Sequence, residues 1–329
     1  VDDERNLTFK SGAIVATKDL ESAAKDANLI LCTFPAQLRK NVIERISPII
    51  ASDAILGFVP GYGGAELYCQ NIINKGVTIF GLQKVPYISR THTVGHIAGI
   101  MSRKRELHVA TIPQSKCGMV AKIIEDMLLI KTIPLKNYMA ATLLPGNPLL
   151  HTSCAYGYLK DYKLGDVFSE QIYCYQTWTD FHSEVLCSYS NEMEEICNNL
   201  PIDLSEVLSI QEYYEAPTPK DVTIKFHSIP SFQSLVFPMI KQENGYVPDF
   251  SSRFYTEDIP FGVCILKGLS LMAGVQTPTI DTILKWYKGV TGKEYFKEDG
   301  TFGKDIQETA IPQLFGIKTK QELAKFYLR

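Results

Sequence analysis

The strongest constraint on the fold is the alternation, early in the 329-residue chain, of short apolar runs with helix-length amphipathic stretches. Residues 27–34 (ANLILCTF) have the length and character of a buried strand, and so do 54–59, 77–82 and 106–112. Helical patterns fill 19–26, 37–50, 65–74 and 115–128; in the second of these Leu38, Val42, Ile43, Ile46, Ile49 and Ile50 recur at helical spacing. Strands separated by helices in this way predict a Rossmann-like parallel sheet with helices on its faces.

The character changes after Leu144. Residues 168–200 contain neither Pro nor Gly, and Ile172, Tyr175, Trp178, Phe181, Val185 and Tyr189 recur at helical spacing. That pattern predicts one helix, or a close pair, ended at Pro201. Asp203 and Glu206 have capping-box spacing for a following helix. Thr277-Pro278 opens another that runs through Lys288, and Thr319 with Glu322 opens a C-terminal one. The expected organisation is therefore an α/β domain over 1–143 and a mainly helical domain over 144–329.

Composition removes several function classes. The 33 basic and 36 acidic residues leave a formal charge of −3, so no basic stripe is available to nucleic acid. Eight cysteines are scattered through apolar runs with no C-x-x-C pair, which fits reduced, buried thiols in a cytoplasmic protein. No apolar run reaches the roughly 18 residues of a membrane helix, and no secretory signal opens the chain. His92 and His96 would suit a metal only on a helix, which the Thr-Val-Gly between them disfavours, and no metal site is expected.

A sheet of this kind that binds a dinucleotide normally begins with a strand, a G-x-G-x-x-G turn and a helix, because glycine lets the backbone approach the pyrophosphate. The chain has no such motif. Gly61, Gly63 and Gly64 follow a strand, but a tight strand-to-helix turn explains them as well. The central first strand is missing with the motif, so the chain is expected to lack its natural start.

Residues 244–274 pass from a loop into an apolar helix. Thr256 is expected to cap that helix, with Glu257 and Asp258 at its positive end and Pro260 in its first turn. Gly274 suits its C-terminal stop. Arg253 stands five residues before Asp258, where its fork suits a carboxylate; a solvated arginine and a capping aspartate account for the spacing as well.

The string S-R-F-Y-T-E-D-I-P at 252–260 resembles the signature of the octopine/nopaline (opine) dehydrogenase family, (N/S)-R-(F/Y)-x-T-E-D-(I/V)-P, which leads into an apolar, glycine-containing helix. Residues 147–152 (NPLLHT) resemble the start of that family's helical domain, where a histidine sits on the first helix. The similarity runs from Ala13 to the end of the chain.

The resemblance implies an oxidoreductase that uses NAD or NADP, undecided between the two, to join an amino acid to a 2-oxo acid such as pyruvate through an imine. His151 and Asp258 match the family's acid–base pair. Such a pair is chemically sensible: histidine, with a pKa near about 6.5, exchanges protons at neutral pH, and a buried carboxylate fixes its tautomer and stabilises its charged form. Arg253 is implied to hold the carboxylate of the oxo acid. A nucleotide would lie across the C-terminal strand ends. That makes Thr33, Phe34, Pro35 and Ala36 candidates for its ribose or nicotinamide, or else an ordinary turn out of a strand. Tyr62 and Lys84, past the next two strands, are candidates to select the amino acid; Lys84 suits an extra carboxylate, or is simply solvated.

The partners expected are thus small molecules, not nucleic acid or membrane, with a homo-oligomer left open. Two other readings fit parts of the sequence. A 2-oxo or 3-hydroxy acid reductase with the same plan would turn over on the oxo acid alone. A non-catalytic binding protein would explain the absent glycine turn, but has no need of His151, Arg253 and Asp258 together.

Overall fold

The computed structural model describes residues 1–2, 5–143 and 146–329. The chain divides into two compact units, one made of Val1–Thr142 with Tyr327–Arg329 and the other of Leu143–Phe326. Leu144, where the second domain is expected to begin, lies outside the described residues.

The first unit contains helices α1 (Leu20–Ala24), α2 (Arg39–Ile46), α3 (Gln70–Asn74), α4 (Cys117–Leu128) and α5 (Met139–Thr142). Its strands are β1 (Leu29–Cys32), β2 (Ile55–Phe58), β3 (Thr78–Leu82), β4 (Tyr87–Thr93), β5 (Ile97–Arg103), β6 (Glu106–Ile112) and β7 (Lys131–Pro134). Five strands form one sheet in the order β1-β2-β3-β6-β7. β1, β2 and β3 are mutually parallel, as are β6 and β7, but β3 and β6 run antiparallel. The reason lies between them: a parallel return needs a crossover of a dozen or more residues, usually a helix. Here the connection is the antiparallel hairpin β4–β5, which sends the chain back in the opposite direction. His92 lies on β4 and His96 in the hairpin turn, so the two share no helix face.

Helix α4 covers the sheet with Cys117, Val120, Ala121 and Ile124, spaced three and four apart on one face. These pack on Phe80 and Leu82 of β3 and on Leu107 and Val109 of β6. The pattern over 65–74 resolves into a 3-10 turn, Ala65–Cys69, before α3, and 37–50 shortens to a 3-10 turn and α2.

The second unit is mainly helical: α6 (Asn147–Leu159), α7 (Asp180–Asn198), α8 (Ile210–Tyr214), α9 (Pro219–Ser228), α10 (Arg253–Thr256), α11 (Cys264–Ala273), α12 (Pro278–Thr291) and α13 (Lys320–Tyr327), whose last residue belongs to the first unit. A hairpin, β8 (Met239–Gln242) with β9 (Gly245–Pro248), interrupts them. The long helix expected from residue 168 starts only at Asp180. Upstream, Phe168 bridges Tyr246 and Tyr173 bridges Val236, so this stretch runs as an irregular strap. Its aromatic residues are buried by stacking instead: Tyr175 lies against Trp178 and Phe232, with ring centroids 5.4 and 4.2 Å away. Asp203 caps no helix; its Oδ1 accepts from the backbone and hydroxyl of Ser205, a local turn that competes with helix formation. The capping box falls six residues later, on Ser209 and Glu212. The expected box at Thr319 and Glu322 is present at the start of α13.

All eight cysteines are buried and free. Among the described residues no helix is long and apolar enough to cross a membrane.

Candidate active site

His151 is carried by α6, whose first turn accepts Pro148 because an amide there has no helical partner to lose. Asp258 comes from the other side of the same unit, through an interrupted helix. Ser252 is the N-cap of the single turn α10, and a π-helical turn, Ile259–Val263, separates α10 from α11. Pro260 has no N–H to give, and the widened ladder shows in the Val263 amide, which donates to the Asp258 carbonyl five residues back at 3.0 Å. Thr256 is therefore not the cap expected from the sequence; its hydroxyl donates back to the Ser252 carbonyl at 3.0 Å. α11 does end at Gly274, which adopts φ 74°.

The approach of this turn to α6 depends on Gly262. A Cβ there would lie 2.4 Å from the Cβ of Pro148, closer than two such atoms can come. The resulting geometry places His151 Nδ1 2.7 Å from Asp258 Oδ2. The Asp258 side chain is 3% exposed and that of His151 22%, so the carboxylate is sealed while the ring keeps an outlet. With a carboxylate oxygen as partner, Nδ1–H is the donor and Nε2 is the nitrogen left for chemistry. Burial pushes the Asp258 carboxyl above the ordinary carboxylate value; the hydrogen bond and charge of His151 act the other way, and the charge of Glu257 reinforces the rise.

Two further contacts organise the ring and its neighbours. Phe254 lies flat on the His151 imidazole, with centroids 3.8 Å apart and planes 8° from parallel. Arg253 donates through Nε to Glu257 Oε2 at 2.5 Å; the Glu257 side chain is 2% exposed and that of Arg253 61%. Arg253 is thus fixed at its base by a buried anion while its outer part stays within reach of solutes.

The other sequence candidates all belong to the first unit. Thr33 follows β1 directly and is exposed, Phe34 and Pro35 are half-buried, and Ala36 is buried at the start of a 3-10 turn. Tyr62 is 6% exposed, and its carbonyl accepts from the buried guanidinium of Arg39, which lies over the Tyr62 ring at 5.3 Å. Arg39 also reaches the carbonyls of Gly63 and Pro60, at 3.3 and 3.4 Å, and so shapes the whole 60–63 turn. Lys84, half-buried, stands just beyond β3. Among the described residues no group of three or more His, Cys, Asp or Glu is placed to hold a metal ion.

Sequence reasoning passed over Phe254 and Arg39, and placed Glu257 only at a helix start. The i,i+4 spacing of Arg253 and Glu257 was available as a signal for one contact, and a lone arginine on the apolar face of 37–50 for another. Nothing in the sequence announces the ring stack.

A mostly parallel sheet unit, joined in one chain to a helical unit that pairs a part-exposed histidine with a buried carboxylate, is the layout of a nicotinamide-dependent oxidoreductase. Comparison with known proteins sharpens that class. Residues 134–291 match the model of the NAD/NADP octopine/nopaline dehydrogenase alpha-helical domain. The opine dehydrogenase of Haliotis discus hannai is 30% identical over 97% of this chain and 83% of its own length. The solved structure of an octopine dehydrogenase with NADH and L-arginine superimposes with a TM-score of 0.83 at 26% identity, over 95% of this chain and 81% of that one. Its complex with NADH and pyruvate gives 0.82 at 25% identity over the same shares. The chain belongs to the NAD/NADP octopine/nopaline dehydrogenase family and is an NAD(P)-dependent oxidoreductase.

Proposed function

We propose that this protein condenses an amino acid with a 2-oxo acid such as pyruvate and reduces the resulting imine to a secondary amine, at the expense of NADH or NADPH. The observation that carries the reading is the His151–Asp258 pair, 2.7 Å apart within the unit that matches the family's helical domain. The octopine dehydrogenase neighbours with L-arginine and with pyruvate support the two substrate classes.

In this reading Arg253, exposed but braced by Glu257, binds the carboxylate of the oxo acid. His151 Nε2 takes the protons that the amine nitrogen loses as it adds and delivers them to the carbonyl oxygen, which leaves as water. Asp258 holds Nδ1–H throughout and stabilises the imidazolium formed along the way. Bound NADH or NADPH supplies the hydride that reduces the imine carbon. The parallel strands β1 to β3 and the exposed Thr33 suit the ribose and nicotinamide end of such a dinucleotide, with Phe34, Pro35 and Ala36 continuing the turn. The sequence holds no G-x-G-x-x-G to cradle the pyrophosphate. Tyr62, set by Arg39, and Lys84 are assigned to amino acid selection. Residues 1–143 are assigned to the dinucleotide and 144–329 to substrate and catalysis. Eight free, buried thiols support a cytoplasmic location.

The test is NAD(P)H oxidation by the full-length protein with pyruvate, in the presence and absence of a mixed amino acid pool, with mass spectrometry for the secondary amine. Turnover that needs both substrates is the expected result. Turnover on pyruvate alone would make the protein a plain reductase, and failure to bind either nucleotide would leave the non-catalytic reading.

A further inference from the structure

A single hydrogen bond fixes one atom of an imidazole but not its plane: His151, held to Asp258 through Nδ1, could still swing about that contact and carry Nε2 away from a reacting carbonyl. The structure provides a second restraint. Phe254 covers one face of the ring at 3.8 Å and 8°. Phe254 is itself held, because it meets the fully buried Phe237 edge-to-face at 6.0 Å and 81°. Phe237 in turn is anchored by its amide, which donates to the Ile172 carbonyl of the strap at 2.8 Å.

We propose that Phe254 is a positioning residue for His151, fixing the plane of the imidazole while Asp258 anchors its Nδ1, so that Nε2 points in one direction. The proposal rests on the reading of His151 as the proton carrier and adds to it a residue that acts through the His151 ring. The same short segment then performs three tasks. Arg253 binds, Phe254 orients, and Asp258 charges and aligns, all within six residues whose spacing is set by one helical turn and a π-helical turn. Flat stacking also adds a favourable contact with the imidazolium, since the aromatic face is the negative side of its quadrupole.

Phe254→Leu keeps the apolar volume and removes the planar face; Phe254→Tyr keeps the face. Both are compared with the parent and with His151→Ala in the full-length protein, with thermal melts as the check on folding. If Phe254→Leu does not fold, Phe254→Met takes its place. We expect kcat to fall by about tenfold or more in the Leu variant, as misorientation of a catalytic group would give, with KM for both substrates unchanged, and to recover in the Tyr variant. Side-chain relaxation of 15N-labelled His151, assigned by the signal lost in His151→Ala, should show a ring that is rigid in the parent and mobile in the Leu variant without any substrate present. An unchanged kcat, a loss carried by KM, or a ring equally rigid in both proteins would overturn the proposal. Were His151→Ala itself to turn over normally, the assignment of His151 would fall first, and this outcome is distinct from the others.

Discussion

Asp258 shows what a buried carboxylate costs and what holds it. Buried, it is pushed toward its neutral form, and the imidazole at 2.7 Å opposes the push most, with the charge of Arg253 behind it. Arg253 presents the reverse case, a cation left exposed but tied at its base to buried Glu257. If it binds the oxo acid, Arg253→Ala should raise KM for pyruvate about ten- to a hundredfold, the worth of one or two charge-assisted hydrogen bonds, and leave KM for the amino acid little changed. Steady-state kinetics with each substrate varied in turn would show this; an unaltered KM for pyruvate would remove Arg253 from the site. Arg253 and Asp258 were legible as a pair only through the S-R-F-Y-T-E-D-I-P string, and His151 only through N-P-L-L-H-T, because spacing alone offered a cap and a solvated arginine. Phe254 stayed hidden for a physical reason: a face-to-face contact between residues of two helices leaves no period in either.

The helical unit owes its site to an irregular element. Sequence reasoning placed a regular helix from Thr256 onward, since apolar spacing and an early proline both fit one. The missing amide of Pro260 and the close approach of Gly262 to Pro148 convert its start into a π-helical turn. Gly262→Ala should therefore push that turn away from α6 and cut kcat at least about tenfold through loss of the His151–Asp258 geometry. Far-ultraviolet circular dichroism would remain that of the parent; a variant with full kcat would show that the contact is dispensable. A similar lesson holds for α7. Tyr175 and Trp178 keep helical spacing while packing as a strap, so α7 starts later than its apolar period implies. Its true first turn is closed by Thr179 and His182, whose buried ring accepts from the Thr179 amide at 3.2 Å. Burial lowers the His182 pKa from 6.5 to about 4. Its neutral form is the one the fold accepts, so its stability contribution is full above pH 6.5 and is lost as the pH falls toward 4. At pH 5 the loss is about 2 kcal/mol. His182→Gln should flatten that acid limb in thermal melts; an unchanged limb would place the effect elsewhere.

Across the whole molecule the sheet was readable from strand–helix alternation, but its antiparallel pairing was not, because the β4–β5 hairpin carries exposed, weakly patterned strands. Nor was Glu66 foreseen. Fully buried in the first unit, it accepts through Oε1 from the hydroxyls of Thr142 at 2.7 Å and Tyr327 at 2.5 Å. These residues stand where the chain leaves that unit and where it returns. Burial raises the Glu66 carboxyl from 4.5 to about 7, against the pull of its two hydroxyl donors and Arg39. A raised carboxyl gives stability that is full below pH 4.5 and is lost as the pH rises through about 7, the opposite sense to His182. Glu66→Gln keeps an acceptor for both hydroxyls, so it should stabilise the protein at pH 8, by up to about 3 kcal/mol, and do little at pH 5. Equal effects at both pH values would contradict this. The proposed chemistry requires His151 and Asp258 to act as one unit, and a double-mutant cycle on kcat for reductive condensation tests that most directly. His151→Ala and Asp258→Asn should each lower kcat at least about a hundredfold, with the double variant no slower than His151→Ala alone. Near-parental turnover by His151→Ala, or two losses that multiply in the double variant, would contradict it.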